Sequence, residues 1–330
     1  MNVIDMHNHF IAPELIDFLS REGRRYATRT IERDGRRFFL IQESAQRPID
    51  GPISDARARL SDMDREGVTS QAVSCVPFLM YPEVSAELGL AIAQVNNDSM
   101  AALAGREAQR FVPLASVPLQ DPAAAAKELE RAAKLGLRGV EIPAKIGERQ
   151  FDESGFEIFW ETAEALKMAV CIHPFEAAPT GAMARYFLGN LIGNLYDTGL
   201  AAALLIYGGV LERHPKLQIV LYHAGGALPA LLGRLDMGYR MVAECRKAIP
   251  RPPSTYAGQF YFDIIAHNRD LLGHLVRTYG AARFVVGSDY PLAAGLAHPV
   301  SEVKALALDV MDEEKIFWRN AQEILRLGAH

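Results

Sequence analysis

Short runs of apolar and β-branched residues recur along the chain, and most are separated by segments long enough for a helix. Eight runs predict strands, at residues 3–6, 69–75, 111–117, 139–142, 169–172, 217–222, 260–265 and 283–286. The runs lack strict alternation of polar and apolar positions, which is typical of parallel strands buried on both faces. Eight βα units in 330 residues predict an α/β fold, a (β/α)8 TIM barrel, in preference to an open doubly wound sheet.

The segments between the runs carry helix signals. Apolar spacing and punctuation predict helices at residues 54–65, 122–135, 156–167 and 316–327. Asp121 is the expected cap of the second of these helices. The last helix would close the barrel against the first strand.

Residues 10–53 are too long for one connection of a minimal barrel. The Asp34-Gly35 pair predicts a hairpin turn within them, with residues 36–41 as the second arm. We interpret residues 10–53 as a loop and hairpin insertion over the C-terminal face of a single domain that spans residues 1–330. A second long segment, residues 174–194, mixes Gly, Pro and aromatic residues, which is typical of a loop that faces a substrate.

Composition and charge exclude several classes of protein. The chain is 49% hydrophobic and 23% charged, as in an ordinary globular protein, and its net charge of -5 gives no general attraction to nucleic acid or to anionic membranes. The arginine-rich stretch at residues 21–37 is interrupted by acidic residues and favours a solvated hairpin face. Three scattered cysteines, no leader and no apolar run of about 18 residues predict a cytoplasmic protein that does not enter a membrane.

Residues that can bind a metal ion stand at the ends of four predicted strands. His7 and His9 follow the first strand, His173 the fifth, His223 the sixth and Asp289 the eighth. Residues i and i+2 of a strand point to the same face, roughly 6.5 to 7 Å apart, so His7 and His9 can serve one ion. The C-terminal strand ends of a barrel meet at one face, where barrel enzymes build their active sites.

Imidazoles with a carboxylate are suitable ligands for zinc or a similar divalent ion, with one position open to water or substrate. Such an ion can polarise a substrate oxygen, while a nearby uncoordinated histidine moves protons. Considered singly, His173 and His223 are more often structural histidines, and Asp289 a turn or cap residue. The remaining histidines, His214, His267, His274, His298 and His330, lack this joint placement, although His267 ends the seventh strand and could line the pocket.

Several motifs together resemble the amidohydrolase superfamily, in particular its decarboxylase branch typified by aminocarboxymuconate semialdehyde decarboxylase. The likeness covers nearly the whole chain. The motifs are Ile4-Asp5-Met6-His7-Asn8-His9, Val117-Pro118-Leu119-Gln120-Asp121, His173-Pro174, His223-Ala224-Gly225-Gly226 with Leu231-Leu232-Gly233-Arg234, Arg251-Pro252-Pro253-Ser254 and Gly287-Ser288-Asp289-Tyr290-Pro291.

The resemblance implies a role for each matched residue. His7, His9, His173 and Asp289 would hold a divalent metal, Zn²⁺ with Mn²⁺ as the alternative, and His223 would be the acid/base residue beside the metal's water. Asp289 would be catalytic as well as a metal ligand. Arg47 resembles the arginine that binds the substrate carboxylate. Arg234 resembles the arginine that reaches a neighbouring subunit's site, which implies a homodimer. The implied reaction is non-oxidative decarboxylation of an unsaturated or aromatic carboxylic acid.

The chain also departs from the family pattern. Phe175 and Glu176 follow His173-Pro174 where the typical member has Trp and Asp, and residues 21–43 match no segment of that member. These differences leave the substrate open. The ligand set leaves open a second enzyme class, a metal-dependent hydrolase of an amide, lactone or carbon-carbon bond. A non-catalytic binding protein on the same scaffold is the alternative from a different class.

Overall fold

The computed structural model describes residues 2–43, 45–175 and 180–328. Within these residues, eight parallel strands form the sheet that the sequence predicts, in the order of the chain. The eight are β1 (Ile4–His9), β5 (Ser70–Ser74), β6 (Phe111–Ala115), β7 (Gly139–Pro143), β8 (Ala169–His173), β9 (Ile219–Leu221), β10 (Phe260–Asp263) and β11 (Phe284–Val285). Glu176 and His330 lie outside the described residues.

Backbone hydrogen bonds between the first and last strands close the sheet into a barrel. The Met6 amide donates to the Val286 carbonyl at 2.8 Å, and the Asp289 amide donates to the His7 carbonyl at 2.7 Å. Asn8 and Tyr290 form a further parallel bridge. The predicted (β/α)8 TIM barrel is therefore confirmed, and the C-terminal strand ends meet at one face.

Helices occupy the connections between the barrel strands. Their bounds are α1 (Pro13–Glu22), α2 (Ala56–Glu66), α3 (Ala86–Arg106), α4 (Pro122–Lys134), α5 (Glu157–Leu166), α6 (Asn194–Tyr207), α7 (Val210–Arg213), α8 (Leu228–Met241), α9 (Arg269–Tyr279), α10 (Pro299–Lys304), α11 (Val310–Glu314) and α12 (Asn320–Ile324).

The helix boundaries differ from the sequence prediction where capping decides them. Helix α2 begins after Asp55, whose carboxylate accepts from the amides of Arg57 and Ala58 at 2.9 and 3.1 Å. The last predicted helix, at residues 316–327, is wrong at both ends. Helical structure already begins at Val310, because the Asp309 carboxylate caps it by accepting from the Asp312 amide at 2.8 Å, and α12 ends at Ile324. A π-helical turn at Lys315–Arg319 joins α11 to α12.

The insertion after β1 contains more structure than the expected hairpin. Strands β2 (Thr28–Arg33) and β3 (Arg36–Ile41) pair antiparallel around Asp34 and Gly35, whose φ angles of 52° and 70° suit the tight turn. A third strand, β4 (Ala45–Pro48), pairs with β3. Strand β4 and helix α1 were not predicted from the sequence.

A separate apolar cluster attaches the insertion to the barrel. Leu15, Leu19 and Phe39 of the insertion are buried with Val76 and Phe78, which follow β5. The insertion thus packs at the C-terminal side of β5. Among the helices of the described ranges, none combines the length and apolarity needed to cross a bilayer.

Candidate active site

The five polar residues predicted from strand ends converge around the Asp289 carboxylate. Asp289 Oδ1 lies 3.2 Å from His7 Nε2, 3.0 Å from His9 Nε2 and 3.8 Å from His173 Nε2. The other oxygen, Oδ2, lies 3.9 Å from His223 Nε2. Oδ1 of Asp289 therefore faces His7, His9 and His173, and Oδ2 faces His223.

The barrel backbone explains this convergence. His7 and His9 lie within β1, whereas the sequence prediction ended that strand at Met6, and their ring centroids are 5.2 Å apart. His173 is the last residue of β8. His223 and Asp289 follow their strands in the left-handed backbone region, with φ of 56° and 57°, which turns both side chains back over the barrel mouth.

The three β-strand histidines present unpartnered nitrogens to the same point. His7 Nε2, His9 Nε2, His173 Nε2 and Asp289 Oδ1 are buried and have no hydrogen-bond partner. Buried polar atoms are almost always satisfied, so four orphaned atoms at one point indicate a missing partner. Imidazole nitrogens and a carboxylate oxygen in this arrangement suit a divalent metal ion.

Hydrogen bonds at the far side of each ring fix the nitrogen that faces the centre. His7 Nδ1 donates to Asp263 Oδ2 at 2.6 Å, His9 Nδ1 to the Cys75 carbonyl at 3.1 Å, and His173 Nδ1 to the Pro174 carbonyl at 2.8 Å. In the neutral form of each ring, Nε2 therefore carries the lone pair and faces Asp289. This is the arrangement by which proteins orient metal-binding histidines.

His223 also belongs to the cluster. One ligand atom from each of His7, His173, His223 and Asp289 lies within 4.8 Å of the others, so His223 as well as His9 is close enough to be a fourth ligand. His9 Nε2 is the closer to the orphaned Asp289 Oδ1, at 3.0 Å. His223 Nε2 instead lies nearest to Oδ2, at 3.9 Å.

Electrostatics favour a cation at this point. Burial opposes the charged form of Asp289, yet His7 and the neighbouring histidines hold the pKa of Asp289 well below its usual range. Burial likewise lowers the pKa of His7, but Asp289 and Asp263 outweigh it and raise that pKa to about 10. Burial lowers the pKa of His173 well below its usual value, which suits a neutral ligand. The Asp289 and Asp263 carboxylates thus favour a nearby positive charge, which a metal ion can supply in place of a proton.

Asp263, at the end of β10, is a site residue that the sequence analysis missed. Besides His7, its carboxylate accepts from the amides of His223 and Ala224 at 2.9 and 2.7 Å. One side chain therefore holds both a candidate metal ligand and the turn that carries His223. The available signal was a carboxylate at the end of an apolar strand, Phe260-Tyr261-Phe262-Asp263.

Glu141 of β7 is a second missed residue, and its signal was a carboxylate within a short apolar strand. Ser74 Oγ donates to Glu141 Oε2 at 2.6 Å and lies 3.2 Å from His9 Nδ1. Glu141 Oε1 is 3.8 Å from the same nitrogen. Tyr222 supports the other histidine of β1, because its ring stacks on the His7 ring with centroids 3.7 Å apart.

The two predicted arginines lie on elements that carry none of the five clustered residues. Arg47 is half-buried on β4, with its guanidinium 5.8 Å from the centre of the Phe78 ring, and burial lowers its pKa. Arg234 is exposed on α8. In the described part of the chain, neither arginine forms an ion pair with Asp289. His267 lines the same cavity as His223, of about 590 Å³.

A buried cluster of histidines and an aspartate at the C-terminal face of a barrel is typical of barrel enzymes that use a divalent metal. The family model described as Amidohydrolase matches residues 4–327. The chain therefore belongs to the amidohydrolase family, as its motifs predicted.

Named relatives of the chain include decarboxylases. The 2-amino-3-carboxymuconate-6-semialdehyde decarboxylase of Dictyostelium discoideum is 31% identical over 292 residues, which cover 88% of this chain and 81% of that protein. The gamma-resorcylate decarboxylase of Polaromonas sp. is 27% identical over 84% of this chain and 88% of its own length. The crystal structure of 5-carboxyvanillate decarboxylase LigW from Sphingomonas paucimobilis matches with a TM-score of 0.85 and 26% identity, over 99% of this chain and 100% of that one.

Proposed function

We propose that the protein is a metal-dependent, non-oxidative decarboxylase, a carbon-carbon lyase, that acts on an unsaturated or aromatic carboxylic acid. The observation that carries this function is the convergence of four orphaned ligand atoms at the barrel mouth in a chain whose relatives are decarboxylases. His7, His9, His173 and Asp289 are the proposed ligands.

Zinc is the proposed ion, and manganese is the alternative. Three imidazole nitrogens and one carboxylate oxygen match zinc well, whereas manganese favours a larger share of oxygen ligands. When bound, a divalent ion supplies positive charge that polarises a substrate oxygen and stabilises negative charge on the carbon skeleton.

His223 is the proposed proton donor of the reaction. Decarboxylation breaks the bond between the carboxylate carbon and the skeleton, carbon dioxide leaves, and the electron pair stays on the skeleton carbon. A proton from His223 then forms the new C–H bond. Asp289 Oδ2 lies 3.9 Å from His223 Nε2, so the proposed proton donor is a direct neighbour of the proposed ligands.

The two arginines are proposed to bind carboxylate groups of the substrate. A guanidinium presents planar donors that match a carboxylate in bidentate geometry. Arg47 would bind within its own subunit, because the insertion that carries it packs beside the barrel mouth.

Arg234 would reach the site of a second copy, so the functional unit is proposed to be a homodimer. The apolar surface around it supports this arrangement. Leu231, Met237 and Met241 of the same helix are 38%, 39% and 74% exposed, and an exposed apolar surface of this kind is typical of an interface.

A product assay tests the proposed function. Zinc-loaded protein is incubated with a panel of hydroxylated aromatic acids, unsaturated dicarboxylates and lactones, while released carbon dioxide and the hydrolysis products are measured separately. We expect carbon dioxide in amounts equal to the substrate consumed. Water uptake without carbon dioxide would instead make the protein a hydrolase and contradict the proposal.

A variant pair tests the role of His223. His223→Asn should lower the turnover number by about 10² to 10⁴, the usual contribution of a general acid, with zinc still bound. His298→Asn is the control, because His298 is an exposed histidine paired with Glu66. Equal loss in both variants would contradict a specific role for His223.

A further inference from the structure

Strand β1 carries a β-bulge at the point where it presents the two histidines. In its pairing with β5, Asp5 lies opposite Gln71 but Asn8 lies opposite Val73, so β1 has one extra residue between them. A bulge re-aims the side chains around it and leaves ladder groups without partners. The spacing of His7 and His9 therefore depends on how this irregularity is held.

The Asn8 side chain supplies hydrogen bonds at the bulge. Its Nδ2 donates to the carbonyl of Asp5 at 3.0 Å and to that of Ala72 at 3.2 Å, one on each strand. Asn8 is fully buried, and its side chain faces helix α2, whereas His7 and His9 face Asp289. The middle position of the motif is thus a structural tie across β1 and β5.

Arg59 of α2 forms hydrogen bonds to residues of both strands at the bulge. Its guanidinium donates to Asn8 Oδ1 at 3.2 Å, to Gln71 Oε1 at 2.8 Å and to the carbonyl of His9. Its guanidinium carbon lies near two rings, 5.3 Å from the centre of Phe10 and 4.8 Å from the centre of Tyr290, the residue after Asp289.

The surroundings of Arg59 point to a positioning role. The side chain is completely buried, and within the described residues it forms no ion pair with a carboxylate. Burying an unpaired charge is unfavourable, and an apolar side chain at this position would avoid that cost. What the guanidinium adds is a rigid fork of donors that reaches the backbone of a histidine and the tie across the two strands.

We propose that Asn8 and Arg59 are positioning residues that fix the bulge of β1 and thereby the distance between the metal-binding nitrogens of His7 and His9. The pair, the Asn8–Arg59 clamp, touches neither the ion nor the substrate. It acts through the two histidines, and it rests on the metal site of the proposed function. Loosening the clamp should weaken metal binding and distort the ligand geometry.

Metal binding by the full chain tests the clamp through Arg59→Met, with Arg57→Met as the matched control. Arg57 lies two residues away on the same helix and is exposed. Zinc affinity is measured by competition with a chelator, and ligand geometry by the visible absorption spectrum of the cobalt form. We expect zinc affinity to fall about 10- to 100-fold in Arg59→Met, the usual effect of losing support behind a ligand, and to stay unchanged in Arg57→Met.

Further variants keep the test decisive. Asn8→Ser removes the hydrogen bonds between β1 and β5 with a smaller change in volume. Arg59→Lys keeps the positive charge but loses the planar set of donors. Both variants should weaken zinc binding and shift the cobalt spectrum. Folded Asn8 and Arg59 variants with the zinc affinity and cobalt spectrum of the natural chain would overturn the clamp. A natural chain that binds no zinc, cobalt or manganese would instead overturn the proposed function.

Discussion

Replacing Asp263 by asparagine is a demanding perturbation of the site, because one carboxylate holds four donors. Asp263 Oδ2 accepts from His7 Nδ1 at 2.6 Å and from the His223 amide at 2.9 Å. Oδ1 accepts from the amides of Ala224 and Ile265 at 2.7 and 3.0 Å. Burial opposes ionisation of this carboxyl group, but His7 and the other donors lower its pKa, so it carries a charge.

The size of the effect follows from the geometry. The asparagine side chain of the Asp263→Asn variant keeps one acceptor oxygen, so an NH₂ group must face two of the four donors whichever way the amide is turned. Hydrogen bonds to a charged acceptor each contribute about 1.5 to 3 kcal/mol, and losing two lowers the free energy of unfolding by roughly 3 to 6 kcal/mol. Zinc affinity should fall about 10- to 100-fold, because His7 loses its orienting partner.

The assay compares Asp263→Asn with Asp270→Asn, which changes an exposed carboxylate in the first turn of α9. Denaturant unfolding of the metal-free proteins gives the stability change, and chelator competition gives zinc affinity. Asp270→Asn should change stability by less than about 0.5 kcal/mol, as exposed substitutions usually do. An Asp263→Asn variant as stable as the natural chain, with equal zinc affinity, would refute the account of this residue.

Three further predictions concern the arginines and the dimer. Arg47→Lys should raise KM about tenfold or more with a smaller effect on kcat in steady-state kinetics, because a lysine cannot bind a carboxylate in bidentate geometry; an unchanged KM would exclude Arg47 from substrate binding. Arg234→Ala should be nearly inactive alone but should regain activity when mixed with the His223→Asn variant, since each mixed dimer has one complete site; no recovery on mixing would contradict a shared site. Met241→Lys should shift the mass measured by light scattering from dimer to monomer, because it places a charge in the apolar surface of α8; an unchanged mass would mean that the interface lies elsewhere.

The barrel was predictable because its physics is local and repetitive. Each buried strand leaves an apolar run, and runs separated by helix-length segments specify parallel strands. The strand ends then placed His7, His173 and Asp289 at one face from the order of the residues alone. The same reasoning identified the turn at Asp34-Gly35, since few residue pairs adopt its backbone angles easily.

The residues behind the ligands were not predictable in this way. Asp263, Glu141 and Arg59 act through hydrogen bonds across 256, 67 and 50 positions of chain, and no short spacing encodes such contacts. The bulge in β1 is likewise a property of two paired strands, so the sequence of one strand does not reveal it. Helix α1 and strand β4 were missed because the insertion lacks the βα repetition that identified the barrel.

The dependence of turnover on one bound divalent ion is the most direct measurement of the central claim. Protein stripped with a chelator is titrated with zinc or manganese, while metal content, carbon dioxide release and the X-ray absorption spectrum of the bound ion are followed together. We predict no turnover without metal, full turnover at one ion per chain, and a spectrum dominated by imidazole ligands. Full carbon dioxide release from metal-free protein would contradict the central claim.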